Sequence, residues 1–210
     1  MKFVLFVEGY TEKKHRAVVE FLKRWLDPRL SQRVGIQPIR FEGWADLVDT
    51  IAVKAPLYLH GPKADQVIAV LALLDLYGPT FYPEGLASAK KRLEWAVPHL
   101  EAQVGDPRFQ VFFAVHEVEA WLLSAPDLFP AMVKRAFPGA VAQPETVNFD
   151  EPPSKLLDRL YWERLRRKYK KTVDGIELFG RLDPGIAYTK CPNFQAMMDA
   201  MLEMARGAGL

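Results

Sequence analysis

Three stretches of this chain are apolar at nearly every position: FVLFV at residues 3–7, VIAVLALL at 67–74 and FQVFFAV at 109–115. A strand with one wet face alternates apolar and polar side chains, because successive residues point to opposite sides. Strands apolar on both sides need cover on both sides, which is the condition of a parallel sheet packed between helices. A shorter run at 36–41 is read as a further strand. Between the runs lie helical patterns. Val18, Phe21, Leu22, Trp25 and Leu26 recur at three-and-four spacing, and so do Trp44, Leu47, Val48 and Ile51, then Leu86, Ala89, Leu93 and Ala96. Thr11 suits an N-cap for the first helix. Pro56 is expected to end the second, and Pro98 to kink or break the third.

The alternation β-α-β-α-β-α-β predicts an α/β fold, a mainly parallel four-stranded sheet flanked by helices. Residues 125–153 are rich in Pro, Gly and Ala and read as short helices and loops. Helices are expected over 154–170, 173–182 and 194–206. We expect an α/β core over 1–124 and a helical extension over 125–210, packed as one unit.

Composition narrows the classes of function. With a single cysteine, Cys191, the chain has no internal disulfide and no cysteine-rich zinc module. The apolar run near the start spans five residues before Glu8, too short for a signal-peptide core. The stretch at 67–74 is far below the roughly 20 residues that span a bilayer. A cytoplasmic protein with no membrane association is therefore expected. There is no GxxxxGK[ST], no GxGxxG, no HExxH and no GxSxG.

What stands out is where the acids fall. The first apolar run ends at Glu8, the third at Asp75 and the fourth at His116-Glu117, followed by Glu119. Parallel strands would bring all these endings to the carboxyl edge of the sheet, where open α/β sheets bind ligands. Carboxylates held together repel one another unless a cation or a shared proton intervenes, and oxygen ligands favour Mg²⁺ or Mn²⁺. Each piece also has a plain structural reading. Asp75 would cap a loop, and Glu117 and Glu119 would complement a helix N-terminus.

The pattern VEGYTEK at 7–13, with Asp75 closing a later strand, resembles the TOPRIM domain of topoisomerases, primases and OLD-type nucleases. Over nearly its full length the chain resembles a TOPRIM-like bacterial family, the domain-of-unknown-function 4276 family. The matching stretches are FVEGYTE (6–12), DLYG (75–78), AVHEVEAWLL (114–123), EPPSKL (151–156), residues 169–175 and CPNF (191–194). The resemblance implies a Glu acting as general acid or base and acids holding Mg²⁺. It also implies association with separate ATPases and with phage defence. A TOPRIM DxD pattern would place an acid at position 77, where this chain has Tyr77. Either Glu117 or Glu119 restores the missing charge, or the fold is retained without catalysis.

The residues thus define two functional readings. One is a metal-dependent phosphodiester-cleaving enzyme. In it, Glu8 is the acid or base, Asp75 is the main metal ligand assisted by Glu117 or Glu119, and His116 orients water or contacts phosphate. The other is a non-catalytic subunit or nucleic-acid binder that partners an ATPase. Residues 155–171 carry eight basic residues against two acidic ones, in a chain of net charge +2. Lys155, Arg164, Arg166, Arg167, Lys168, Lys170 and Lys171 are the candidate contacts to DNA or RNA, interleaved with Tyr161, Trp162 and Tyr169. The plain alternative is a solvated helix face.

Overall fold

The computed structural model describes residues 1–9, 12–147 and 151–210, with residues 12–14 as backbone only. Within them, strands β1 (Lys2–Glu8), β2 (Gly35–Phe41), β3 (Val67–Asp75) and β4 (Phe109–Ala114) form one sheet in the order β2-β1-β3-β4, and every pairing is parallel. The expected four-stranded α/β architecture is present. The helices are α1 (Glu12–Leu26), α2 (Trp44–Leu59), α3 (Ala89–Val104), α4 (Glu119–Leu123), α5 (Ala131–Lys134), α6 (Pro153–Leu165), α7 (Ile176–Arg181), α8 (Pro184–Lys190) and α9 (Pro192–Gly207). Thr11, the proposed cap of α1, lies outside the described residues.

The two-residue period of the central strands sorts their side chains between two cores. Phe3, Leu5 and Val7 of β1, with Ala69, Leu71 and Leu73 of β3, join one core together with α1, α4, α6 and α9. Val4 and Phe6, with Val70, Ala72 and Leu74, join the other, with α2 and α3. Burying each large apolar side chain contributes about 1.5–3 kcal/mol, so both faces of the sheet are held by helices. One irregularity adjusts the register. Lys2 pairs with Val67 but Phe3 with Ala69, which leaves Ile68 as an extra residue, the signature of a bulge. β2 is an edge strand and accommodates Pro38 opposite Leu5, as an edge can, since one side of its backbone has no partner strand.

Both prolines read as helix breakers lie inside helices: Pro56 within α2 and Pro98 within α3. A proline removes one intrahelical hydrogen bond. Pro98 is exposed, so the carbonyl left without that donor lies toward solvent. α3 ends instead at Gly105, whose φ of +67° is left-handed and whose N–H donates to the Glu101 carbonyl at 3.0 Å. The C-terminal elements also differ from expectation. α6 stops at Leu165, where Arg166 takes φ +55°. A π-helical turn, Lys171–Gly175, leads into α7, and α8 stands where no helix was expected. No helix among the described residues is long and apolar enough to cross a membrane.

Candidate active site at the carboxyl edge of the sheet

β1 and β3 are parallel neighbours with Val7 opposite Leu73, so Glu8 and Asp75 emerge side by side. A Glu8 carboxylate oxygen, Oε1, accepts from the Asp75 backbone N–H at 3.3 Å. Asp75 in turn accepts, through Oδ1, from the Val118 N–H at 3.0 Å. The two acids thereby tie together the ends of β1 and β3 and the loop after β4. Beyond the sheet the pairing continues, with Leu76 N–H donating to Ala114 O at 3.0 Å and Tyr77 N–H to His116 O at 2.8 Å. Gly9 follows Glu8 at φ +99°, with nothing within 4 Å of a Cβ placed there. Backbone conformation alone therefore accounts for glycine at that turn. His15 Nε2 lies 3.1 Å from the Glu8 carbonyl oxygen. Beneath the pair is a cavity of about 30 Å³ walled by residues that include Val7, Leu73 and Val118. It is sized for water.

Glu117 and Glu119 form a second, adjoining group. Glu117 Oε2 accepts from the Ser154 N–H at 2.7 Å, and Oε1 accepts from the Ser154 hydroxyl at 2.8 Å and from Lys171 Nζ at 3.0 Å. Glu119 Oε2 lies 3.6 Å from the same ammonium. Both acids are buried, Glu117 at 8% and Glu119 at 1% side-chain exposure. Burial works against the charge on Glu117, but Lys171 and the Ser154 donors outweigh it and hold the carboxyl below its usual range. For Lys171, burial favours the neutral amine. The charges of Glu119, Glu117 and Asp75 outweigh that and push its pKa up, so it remains an ammonium. The π-helical turn that begins at Lys171 thus delivers a cation into the acids of the sheet edge.

The other predicted residues divide. His116 is buried, and burial lowers its pKa, against the charge of Glu117 and a hydrogen bond to the Glu145 backbone; it is a neutral ring inside the structure rather than a surface contact. Lys155 is exposed and donates to the Tyr77 hydroxyl at 3.0 Å. Arg167 is held by both Asp174 oxygens, at 3.0 and 2.7 Å, and lies over the Tyr161 ring. Arg164, Arg166, Lys168 and Lys170 are exposed. Of the interleaved aromatics only Trp162 faces solvent, at 55% exposure, while Tyr161 and Tyr169 belong to the core. The basic stripe is therefore shorter than the sequence suggests, because half-exposed Arg167 and partly buried Lys171 are paired with acids. Sequence reasoning missed Ser154 as a partner of Glu117, although it sits in the EPPSKL stretch.

Glu8 and Asp75 offer hard oxygen donors, and Mg²⁺ is commonly held by one or two carboxylates with water and substrate phosphate completing its shell. That pair fits Mg²⁺ or Mn²⁺. Glu117 and Glu119 are engaged by Lys171 instead. Among the described residues, no three or more His, Cys, Asp or Glu side chains gather as a metal-holding group.

Fold and edge together define an open, all-parallel α/β protein with four acids, Glu8, Asp75, Glu117 and Glu119, at or just beyond the carboxyl ends of its strands. The chain belongs to the family described as Domain of unknown function (DUF4276), whose model matches residues 7–202. Among solved structures it is similar to the C-terminal region of the Burkholderia pseudomallei OLD protein, at 21% identity and a TM-score of 0.45, over 98% of this chain and 97% of that one. No curated protein matches the sequence.

Proposed function

We propose that the protein is a Mg²⁺- or Mn²⁺-dependent, nuclease-like enzyme of TOPRIM type that cleaves phosphodiesters in DNA or RNA, in an ATPase-coupled defence against phage. The observation that carries this reading is the adjacency of Glu8 and Asp75 at the ends of neighbouring strands, joined by the 3.3 Å bond from the Asp75 N–H. Asp75 and Glu8 would hold the metal, whose chemistry when bound is to stabilise charge on the transferring phosphate. Glu8 would also move a proton to or from the attacking or leaving oxygen. Lys171 would balance the charge of Glu117, Glu119 and Asp75 beside the reacting group. Exposed Arg164, Arg166, Lys168 and Lys170 would hold the substrate backbone.

The test is cleavage of DNA and RNA with added Mg²⁺ or Mn²⁺. Glu8→Gln and Asp75→Asn should each lower the rate on the order of 10²–10⁴-fold. Equal rates in the wild type and both variants would overturn the assignment. A second reading has its own support: Tyr77 stands where the TOPRIM resemblance calls for an acid, and its hydroxyl is tied to Lys155. Under it the protein is a non-catalytic partner of a separate ATPase. It predicts no metal-stimulated cleavage by the wild type, and unchanged ATPase binding by Asp75→Asn.

A further inference from the structure

Helix α6 starts at the acidic edge and runs away from it. Near its start the Ser154 N–H and hydroxyl donate to Glu117, and Lys155 Nζ donates to the Tyr77 hydroxyl. Lys155, Arg159, Trp162 and, at the C-cap, Arg166 follow one another at helical spacing and share one side of the helix. All four are exposed. Trp162 is 55% exposed, whereas the other rings of the segment, Tyr161 and Tyr169, face each other in the core at 5.4 Å. Among the described residues no ring or cation lies against the Trp162 indole. The charges nearby are unevenly matched. Asp158 accepts from the Tyr169 N–H, Glu151 and Glu163 are held by Arg159, and Asp174 by Arg167. Each acid from 151 to 174 thus has a partner within the segment. Lys155, Arg164, Arg166, Lys168 and Lys170 have no ion pair among the described residues.

We propose that the solvent side of α6 is a track for a single-stranded nucleic acid, in which one unpaired base stacks on Trp162 while Lys155 and Arg166, on either side of it, hold phosphates. The inference deepens the proposed function and rests on it for placing the same strand over Glu8 and Asp75. Single-strand binding combines an aromatic face open to a base with positive charge along the backbone, and this side of α6 presents both. A duplex keeps its base faces stacked inside the helix, so it meets the charges but not the indole. An apolar protein partner would fit the indole but would cover cations that have no counter-charge, which is costly. Trp162 lies eight positions beyond Ser154, ~12 Å along the helix at about 1.5 Å per residue. At about 3.4 Å per stacked nucleotide, the base on Trp162 is roughly three to four nucleotides from the phosphodiester at the acids.

The experiment is fluorescence anisotropy of the full chain in EDTA, where cleavage does not intrude, with a labelled single-stranded oligonucleotide, its fully abasic counterpart and the blunt duplex. Trp162→Ala should weaken single-strand binding about 5- to 150-fold, the range for loss of one stacked base, and leave abasic and duplex binding unchanged. Trp162→Phe, which keeps a flat ring, should recover most of the loss. Trp162→Leu, which keeps apolar bulk without one, should not. The salt dependence of Trp162→Ala should match the wild type, since no phosphate contact is lost. Arg166→Gly, suited to the φ of +55° at that position, should flatten it by about 0.7. Urea midpoints near that of the wild type are expected for the Trp162 variants, because the side chain is exposed. Single-strand affinity unchanged in Trp162→Ala would overturn the proposal. So would equal weakening on the abasic strand, or recovery by leucine as full as by phenylalanine, which would mark an apolar docking surface instead. Failure of the nuclease reading has a different sign: single-strand binding that depends on Trp162, with no metal-stimulated cleavage.

Discussion

Replacing Lys171 by Met removes one ammonium from between two buried carboxylates at 3.0 and 3.6 Å. Removing one partner of a buried pair typically costs about 3–5 kcal/mol, because the remaining charge is left uncompensated. The Lys171 side chain is 38% exposed, so solvent already screens part of the interaction, and a cost of about 2–4 kcal/mol is the better expectation. For a chain of this size that corresponds to a fall in melting temperature of roughly 4–16 °C. The pH dependence identifies the cause. Glu117 is held below its unfolded pKa, so its contribution is present above about pH 4.5 and is lost as the pH falls through the lower folded value. Lys171 is raised, so its contribution is present below its usual value of about 10.4 and is lost only as the pH rises through its higher folded value. In Lys171→Met, Glu117 loses the ammonium that holds its carboxyl low and protonates more readily, and the deficit should shrink on acidification. Urea midpoints of wild type and variant at pH 7 and near pH 4 measure this. Adding Glu119→Gln to the variant should recover part of the loss at pH 7. A deficit that is the same at both pH values, or absent at pH 7, would refute the ion-pair reasoning and leave packing of the lysine stem as the cause.

Glu145 accepts from the Asn193 N–H and side-chain amide at 2.9 and 2.8 Å and from the Phe194 N–H at 3.3 Å. Glu145→Ala should therefore cost about 1–3 kcal/mol by orphaning those donors, and Glu145→Gln distinctly less. Burial raises the Glu145 pKa against those same bonds. Wild type should thus gain stability relative to Glu145→Gln as the pH falls from neutral toward about 4.5, read from urea midpoints. Joint reversal of Arg164, Lys168 and Lys170 to Glu should weaken nucleic-acid binding and flatten its salt dependence by about 0.7–0.9 per removed contact. Arg167→Ala should leave that slope unchanged and, because its charge is already committed to Asp174 but the side chain is half exposed, cost about 0.5–1.5 kcal/mol of stability. Cys191 is buried and its thiol pKa is pushed up by burial, so iodoacetamide at pH 8 should label it only after denaturation, as mass spectrometry would show.

The sheet was legible because its constraint is local. Strands covered on both faces must be apolar at nearly every position, and β1 and β3 are between their polar ends. The C-terminal half was less so, since α5, α7 and α8 are short and lack long periodic faces. α8 illustrates this. Asp183 caps it by accepting from the Gly185 N–H at 2.8 Å, and Pro184 opens it, yet Asp-Pro-Gly reads equally as a turn. Pro56 and Pro98 misled for the converse reason. One missing backbone bond is tolerable when the helix around it buries Ala55 and Leu59, or Ala96 and Leu100, against the sheet.

The edge itself was half legible. Acids at the ends of parallel strands must converge, and Glu8 and Asp75 do so through a bond that the topology makes short. Nothing local in the chain says that Lys171, 54 residues beyond Glu117, reaches back to it. Its basic neighbours argue instead for a uniform solvent-facing stripe. The distinction between Lys171 and, for example, Lys170 is one of position in the turn after α6: Lys170 is exposed, whereas Lys171 enters the π-helical turn that closes against the acids. Under the proposed function this bears on position 77, where the TOPRIM resemblance calls for an acid and Tyr77 stands. Restoring an acid there would place another carboxylate beside Asp75 and Glu117, while Lys155 loses a hydroxyl and gains a counter-charge. Tyr77→Asp should therefore strengthen metal binding at the Glu8–Asp75 pair and raise any metal-dependent cleavage if charge is what limits the site. Calorimetric titration with Mn²⁺ separates that from a site limited by Lys171, in which Tyr77→Asp leaves Mn²⁺ affinity where it was.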